Sequence, residues 1–447
     1  MTTPEEFIPE STRIKKEILH PSREYGASAF IMSISQDVRA RLHEALNDVD
    51  LADSIYVMSI LRVLRAESYD KIENEYLSSC ISESIPKLNF DKAKITDLLT
   101  TIGNNRQQIF EFMNNISKAC DNFIFDGSMI TAKFDQIELP GDDQSPNQIW
   151  EPHLKVIYMF EGSGYPEPIL YRCVLDNVPD MIAMLHTMKS LNRESKLTII
   201  CNTNFASNSN LEYLEENNIS YVAQLNRNNN EISLNESNFT SYFESFIMSK
   251  EGPVFVHESV KDKHRLIVFQ DMALYYKELN EHEAKIRNAN DNENLKENLR
   301  QTPDVTPRKS TRVNKSELGI IAIRTTIESD IEEIYGIYRQ RLVMEEYFNT
   351  LNNTLNRDRM YIQSDMAFEG WCFINHISLI LEHRIINTLK KKKLLKKYSL
   401  KKVTSLLSKI RKSKISGEWV IHEPGQRVID LAEKLIFGLK RQTFSSD

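Results

Sequence analysis

The feature that most constrains the fold is a change in the apolar pattern near residue 120. From Ser28 to about Ala119, apolar residues recur three and four positions apart, which is the spacing of amphipathic helices. After residue 122, short apolar runs typical of strands alternate with helical stretches: a strand, a hairpin, a helix, a strand, a helix and a strand. This alternation predicts a mixed α/β sheet that follows a helical N-terminal region.

The alternation is interrupted once before the sheet pattern returns. Residues 227–316 contain strand-like pieces, then a charge-rich stretch and a linker with Pro303 and Pro307, which predict a mostly β insertion with an extended helix. A strand over 318–325 and a long helix from near Ser329 resume the core. We therefore divide the chain into a poorly ordered N-terminus (1–27), a helical region (28–119), a first core part (120–226), the insertion (227–316), and a second core part with a basic helical C-terminus (317–447).

Composition excludes several classes of protein. Apolar content of 41% and charged content of 27% are ordinary for a globular protein. No apolar run reaches the roughly 18 residues that a membrane span needs, and the acidic N-terminus does not resemble a signal peptide. The five cysteines are scattered and never in CxxC spacing, so we expect reduced thiols without a disulfide framework or zinc site. A cytoplasmic protein without a membrane partner is the expectation.

A basic run near the C-terminus contrasts with the net charge of -7. Between Lys390 and Lys414 the sequence contains twelve Lys or Arg and no Asp or Glu. The run begins with four consecutive lysines, Lys390, Lys391, Lys392 and Lys393, which are candidate DNA-binding residues because clustered cations attract phosphate. A solvated helical face with a charge bias fits the same run, and charge alone does not separate the two interpretations.

The long helix carries an unusual polar edge. Tyr338, Arg341, Glu345 and Asn352 are three, four and seven residues apart, so they lie on one side of the helix, beside an apolar stripe that ends at Leu355. Taken singly, each residue has an ordinary interpretation. Arg341 and Glu345 could form a weak i,i+4 ion pair, and Tyr338 could be an aromatic residue at the rim of the core.

Phosphodiester cleavage by two divalent cations needs carboxylates that converge from separate elements. Asp126 at the end of the first core strand and Glu345 on the long helix occupy two suitable places. The third place, after the strand over 196–201, carries Asn202. An Asp before a Gly can also simply begin a turn, so Asp126 alone is not diagnostic.

Together these motifs resemble DDE transposases of prokaryotic insertion sequences, in the group with the signature Y-x2-R-x3-E-x6-K. Tyr338, Arg341 and Glu345 match the signature, and Asn352 stands where the family has Lys. "FIFDGSMI" is similar to the strand that carries the family's first acid. "LDNVPDMIAML" and "IICNTNF" are similar to the stretches before and around the second acid, which is replaced by Asn202. The resemblance spans roughly residues 28–410.

The resemblance implies an RNase H-like core and Mg²⁺ or Mn²⁺ as cofactor. It implies that Asp126 would bridge two metal ions, that Glu345 would hold one of them, and that the residue at 202 would hold the other. Tyr338 and Arg341 would position the DNA backbone, and position 352 would contact a phosphate. The implied partner is double-stranded DNA at transposon ends, bound by a homo-oligomer associated with the nucleoid.

The departures from the family pattern predict impaired chemistry. Asn202 offers one neutral carbonyl oxygen where an anion should bind metal, and Asn352 removes a cation from the DNA side. Asp176 and Asp180 belong to a different strand end and its turn, so we do not favour either as a replacement acid. The prediction is a DNA-binding homologue with weak or absent cleavage. A non-catalytic regulator of transposition and a decayed transposase remnant remain open as alternatives.

Overall fold

The fold is described from a computed structural model of the 447-residue chain. For some residues inside helices and strands, only the backbone is described. The described residues are 22–65, 68–117, 123–133, 153–161, 167–175, 178, 180–190, 198–201, 203, 205–232, 242–249, 251–261, 263–297, 317–415, 418–422 and 424–435.

The N-terminal part consists of helices after one short strand, β1 (Arg23–Glu24). The helices are α1 (Gly26–Ile34), α2 (Gln36–Ala45), α3 (Val49–Arg65), α4 (Ile72–Leu77), α5 (Ile81–Ser84), α6 (Ile95–Asn104) and α7 (Arg106–Ser117). The Glu24 carboxylate accepts a hydrogen bond of 2.7 Å from the N–H of Ala27 and so satisfies a free donor at the start of α1. Residues 23–27, which the sequence assigned to a poorly ordered N-terminus, therefore belong to the fold.

A mixed sheet forms the centre of the molecule. Its strands are β2 (Phe123–Lys133), β3 (His153–Glu161), β4 (Glu167–Leu175), β5 (Thr198–Cys201), β6 (Ser220–Leu225), β7 (Ser245–Ser249), β8 (Gly252–Val260), β9 (Arg265–Asp271) and β10 (Ile320–Thr325). Their order in space is β4-β3-β2-β5-β6-β10-β9-β8-β7. The pairs β2–β5 and β5–β6 are parallel, and the other neighbouring pairs are antiparallel. The predicted mixed α/β sheet is confirmed.

Further helices cover the sheet or follow its strands in the chain, and the last of the described helices ends at Lys434. They are α8 (Asp180–Ser190), α9 (Asn208–Glu216), α10 (Met272–Glu297), α11 (Ile331–Asp358), α12 (Asp365–Lys391), α13 (Leu400–Leu407) and α14 (Gln426–Lys434). α11 packs against β2, β5 and β6, and α12 packs against β4. The ring of Tyr335 on α11 lies 5.2 Å from that of Phe269, and the ring of His376 on α12 lies 5.4 Å from that of Tyr171. Strand pairing places Phe269 and Tyr171 on one face, so α11 and α12 cover the same face.

Strands from the predicted insertion join this same sheet. β10, where the core pattern resumes, lies between β6 and β9, and β8 and β7 extend the sheet outward from β9. α10 packs along β8 and β9. The described strands of this segment, β7, β8 and β9, therefore enlarge the central sheet, and β9 does so by pairing with β10, which is distant in the sequence.

The C-terminal region is not entirely helical. β11 (Arg411–Ile415) and β12 (Glu418–Ile421) form a three-stranded sheet with β1, in the order β1-β11-β12. β11 is defined as a strand by its antiparallel pairing with β1 on one side and β12 on the other. The sequence of β11, Arg-Lys-Ser-Lys-Ile, has one apolar residue in five, so no apolar period indicated a strand there.

A buried ion pair connects the N-terminal helices to the core. Arg62 of α3 donates a hydrogen bond to the carboxylate of Asp358 at the end of α11, and their side chains are 6% and 0% exposed. The indole N–H of Trp371 on α12 donates to the same carboxylate at 2.9 Å. The guanidinium carbon of Arg62 also lies 4.3 Å from the centre of the Tyr69 ring. One carboxylate thus joins α3, α11 and α12.

Two glycines allow α6 and α12 to cross closely. A Cβ atom at Gly103 would lie 1.9 Å from the carbonyl oxygen of Met366, and one at Gly370 would lie 2.1 Å from that of Leu99. Both neighbouring atoms belong to the backbone, so they cannot move aside as a flexible side chain would. The crossing therefore depends on the absence of side chains at these two positions.

We expect Gly103→Ala to lower the free energy of unfolding by about 1–3 kcal/mol, because an added methyl group overpacks this crossing. The matched control is Gly336→Ala in α11, where a Cβ would meet nothing within 4 Å. There the better helix propensity of alanine should leave the free energy of unfolding unchanged or raise it. Urea unfolding of both variants measures the difference, and equal values for the two would contradict the close crossing.

Candidate active site

Three elements that carry or precede the predicted acids meet at one place on the sheet. β2 and β5 are adjacent parallel strands, in which Phe123 pairs with Ile199 and Ile124 pairs with Ile200. α11 packs against both strands. The strand of the first acid, the strand before position 202 and the helix of the third acid are therefore neighbours, as a site built from separate elements requires.

Asp126 lies inside β2 and not at its end. It pairs with Tyr158 of β3, and the β2–β3 ladder continues through Gly127 to Lys133. The sequence favoured a strand that stops at Asp126-Gly127, but hydrogen bonding to the neighbouring strand carries β2 further. The side chain of Asp126 lies outside what the structure describes. Its backbone position is two residues beyond Ile124, where the described pairing with β5 ends.

Tyr158, the β3 residue that pairs with Asp126, packs against buried aromatic rings on β4 and α12. Tyr158 is 1% exposed, and its ring centre lies 5.8 Å from that of Tyr171 and 6.0 Å from that of His376. Burial raises the pKa of the Tyr158 phenol well above its ordinary value, and burial lowers the pKa of His376 to about 3. At neutral pH the phenol and the imidazole are therefore both uncharged.

The second-acid position follows β5 directly. β5 ends at Cys201, whose side chain is 1% exposed, in keeping with a small buried apolar residue. Asn202 itself and Asn204 lie outside the described residues. Phe205 is buried, and α9 begins soon afterwards with Ser207 as its N-cap, where the hydroxyl oxygen accepts from the N–H of Asn210 at 3.3 Å.

Tyr338, predicted to face DNA, is 5% exposed and forms part of the hydrophobic core. Its ring centre lies 6.5 Å from that of Tyr335, one turn earlier on α11. Burial at the edge of the core agrees with the ordinary interpretation of this residue. Its contact with DNA stays a prediction.

The other members of the predicted polar edge lie in α11, as expected from their spacing. The backbone of Arg341, Glu345 and Asn352 is helical, and their side chains lie outside what the structure describes. Leu351 and Leu355 of the predicted apolar stripe are buried. This end of the stripe therefore faces the core, and the roles of the three polar residues stay predictions.

Sequence reasoning missed the residue that anchors the first turns of α11. The carboxylate of Asp271 is 1% exposed and accepts hydrogen bonds from the Tyr335 hydroxyl at 2.6 Å and from the Arg339 guanidinium at 3.4 Å. Its other oxygen accepts from the N–H groups of Ala273 and Leu274 and so caps α10. Burial is the main cause that raises the pKa of Tyr335, and the hydrogen bond to Asp271 raises it further. An Asp between an apolar strand and a helix was the available signal.

The predicted basic residues form an exposed surface at the end of α12. Lys390, Lys391, Lys392 and Lys393 are all exposed, and among the described residues none of them forms an ion pair. We call them, with the exposed lysines that follow, the basic surface: Lys390, Lys391, Lys392, Lys393, Lys396, Lys397, Lys401 and Lys402. Four of these lysines lie within the last turn of α12 or just after it, where cations also complement the helix dipole.

Neither a metal cluster nor a membrane span is found in the parts of the chain that the structure describes. Within them, no group of three or more His, Cys, Asp or Glu side chains is arranged to hold a metal ion. No helix there combines the length and apolar character needed to cross a membrane. The side chains of the predicted ligands Asp126 and Glu345, and Asn202 at the second-acid position, lie outside this description.

Among the comparisons with known proteins, one family model matches a large part of the chain. No curated protein matches the chain. Among solved structures, a piggyBac transposase synaptic complex with hairpin DNA is similar with 13% identity and a TM-score of 0.36, over 89% of this chain and 74% of that chain. A Mos1 transposase paired-end complex with the left transposon end is similar with 10% identity and a TM-score of 0.16, over 37% and 56%.

Both structural likenesses are weak, and the family assignment does not depend on them. The family model described as "Transposase DDE domain" matches residues 121–381, which is more than half of the 447 residues. The match begins just before β2, ends within α12 and includes the three predicted acid positions. The chain therefore belongs to the DDE transposase family.

Proposed function

We propose that the chain is a DDE transposase-like protein that binds double-stranded DNA at transposon ends and that Asn202 impairs its phosphodiester chemistry. The observation that carries this proposal is the adjacency of β2 and β5 beneath α11, within the segment that matches the family. The resemblance to the prokaryotic insertion-sequence group rests on the Tyr338, Arg341 and Glu345 signature.

The strand order supports an RNase H-like core. β4, β3 and β2 form an antiparallel meander, and β5 and β6 continue it as parallel strands on the far side of β2. This puts the first strand of the core in the middle of the five, with a neighbour on each side. Strands β10, β9, β8 and β7 add to the β6 edge.

Strand register supports a common face for the first and third acids. Directly paired residues share a face of the sheet, and so do residues two apart on one strand. Position 126 therefore belongs to the face that carries Tyr158 and Ile200, because Ile124 pairs with Ile200 and Asp126 pairs with Tyr158. α11 covers that face and carries Glu345.

Two of the three positions that would bind divalent metal ions carry a suitable carboxylate, and the third does not. DDE transposases use divalent metal ions, and the carboxylates of Asp126 and Glu345 are the oxygen donors that Mg²⁺ and Mn²⁺ prefer. Bound metal would polarise the phosphodiester and lower the pKa of a bound water. Asn202 contributes no negative charge, so the three positions together supply two anions in place of three.

Weak metal affinity is the physical reason for the proposed impairment. Attraction between a divalent cation and its ligands scales with ligand charge, and a neutral amide oxygen replaces little of a missing carboxylate. Asn352 acts in the same direction on the DNA side, since a neutral amide cannot replace a lysine at a phosphate. We assign DNA positioning to Tyr338, Arg341 and Asn352, and sequence-independent phosphate contacts to the basic surface.

DNA binding tests the first half of this proposal. We expect the affinity for end-containing duplex DNA to fall with salt, and replacing Lys390, Lys391, Lys392 and Lys393 by Gln to reduce the log–log slope by about 0.9 for each phosphate that is no longer neutralised. The matched control replaces four other exposed lysines by Gln: Lys87, Lys92, Lys94 and Lys277. Fluorescence anisotropy in a salt series measures both variants. Equal slopes for the two would remove the basic surface from the DNA interface.

A second candidate, a non-catalytic regulator that competes for ends or forms mixed oligomers with an intact transposase, is favoured by the two departures from the family pattern at 202 and 352. End binding unchanged in Glu345→Ala would support it, because a regulator needs DNA affinity and not the third acid. Loss of end binding in that variant would count against it.

A further inference from the structure

We propose that the outer edge of β7 is a self-association surface, where two copies of this chain pair their β7 strands antiparallel about a two-fold axis. The pairing would join the two central sheets into one continuous sheet. This inference goes beyond the proposed function, because it concerns the end of the sheet away from β2 and needs neither DNA nor metal.

β7 is the terminal strand of the central sheet. Among the described residues it pairs with β8 alone, so alternate backbone N–H and C=O groups along its outer side have no strand partner. Proteins commonly guard such edges with Lys, Pro or an inward-pointing charge. The sequence of β7, Ser-Phe-Ile-Met-Ser, contains none of these.

One face of this edge is apolar and exposed. Phe246 is 62% exposed, Met248 is 68% exposed and Phe255 of β8 is 37% exposed. Phe246 and Phe255 are directly paired, and their ring centres lie 6.5 Å apart, so the three side chains form one strip along the edge. Contiguous exposed apolar strips mark interaction sites more often than scattered apolar residues do.

The strand is complementary to itself, which points to a second copy as its occupant. In an antiparallel pairing centred on Ile247, Phe246 lies opposite the partner's Met248, and Ser245 lies opposite the partner's Ser249. The first pair would form a sulfur–aromatic contact, and the second would place two serine hydroxyls within hydrogen-bonding reach. An isologous contact of this kind closes after two copies.

Mass measurement in the absence of DNA tests the proposal. By light scattering after size exclusion, across a dilution series, we expect the native chain to approach twice 52.0 kDa, about 104 kDa, at its highest concentrations. Phe246→Lys with Met248→Lys sets like charges opposite each other in both copies, so this variant should remain at 52.0 kDa. Phe246→Glu with Met248→Lys sets Glu opposite Lys across the axis and should restore the dimer.

The Glu–Lys variant distinguishes pairing in this register from nonspecific hydrophobic association, because both double variants remove the same two apolar side chains. Val260→Lys is the matched control for an exposed apolar residue, since Val260 is 73% exposed at the end of β8 and lies beyond the β7 pairing. It should dimerise like the native chain, and circular dichroism should show equal folding in all variants. A monomeric native chain, or identical masses for the two double variants, would overturn the proposal.

Discussion

Replacing Asn202 by Asp is expected to raise metal-dependent nicking of end-containing DNA by about 100- to 1000-fold over the native chain. The reason is electrostatic. The substitution keeps the size of the side chain and converts a neutral amide into an anion at the second-acid position. Charge stabilisation by a bound metal is worth several kcal/mol in the transition state, and each 1.36 kcal/mol changes a rate by about tenfold.

Three control variants make this result specific to charge at one position. Asn202→Gln keeps the amide and should stay at the native level. Asn352→Lys restores a phosphate contact without adding a metal ligand, so it should tighten DNA binding more than it raises the nicking rate. Adding Glu345→Ala to Asn202→Asp should return nicking to the native level. Equal rates for Asn202→Asp and Asn202→Gln would contradict the assignment of position 202.

The largest expected loss of stability follows from removing the carboxylate that joins three helices. Asp358→Ala should lower the free energy of unfolding by about 3–5 kcal/mol, because it leaves the buried guanidinium of Arg62 without its counter-charge. The indole N–H of Trp371 loses its acceptor in the same variant. Urea unfolding followed by circular dichroism measures the change.

A surface ion pair between α7 and the start of α12 serves as the matched control. Asp365 lies 4.0 Å from Arg106, with side chains 47% and 54% exposed, and solvent screening makes such a pair worth about 0–1 kcal/mol. Asp365→Ala should therefore have a small effect. Replacing both Arg62 and Asp358 by apolar residues should recover part of the loss in Asp358→Ala, since no buried charge is then left unpaired. Equal losses for Asp358→Ala and Asp365→Ala would contradict the role of the buried pair.

The sheet elements that the sequence predicted well are those set by local pattern. The hairpin of β3 and β4, the strands β5 and β6, and the long helix α11 follow from apolar period and turn residues within short windows. What the sequence missed depends on distant partners. β2 continues beyond Asp126 because β3 supplies its hydrogen bonds, and β11 is a strand because β1 and β12 pair with it.

For the candidate site, the sequence likewise predicted which elements carry the residues but not the burial and contacts of their side chains. Motif spacing placed Asp126 and Glu345 on elements that the fold brings together. Burial of Tyr338 could not be read from its spacing, because an aromatic at the edge of an apolar stripe suits the core and a DNA-facing position equally well. Asp271 was missed because capping and hydrogen bonding to Tyr335 become visible only once β9 and α11 are adjacent.

The most direct measurement follows binding and cleavage by the native chain in one sample. End-labelled transposon-end duplex is incubated with the chain and Mg²⁺ or Mn²⁺, and the bound and nicked fractions are determined from the same reaction. We predict that the DNA is bound and remains uncut at protein concentrations that saturate binding. Robust nicking by the native chain that disappears in Asp126→Asn would contradict the central claim, because it would show a working site with Asn at position 202.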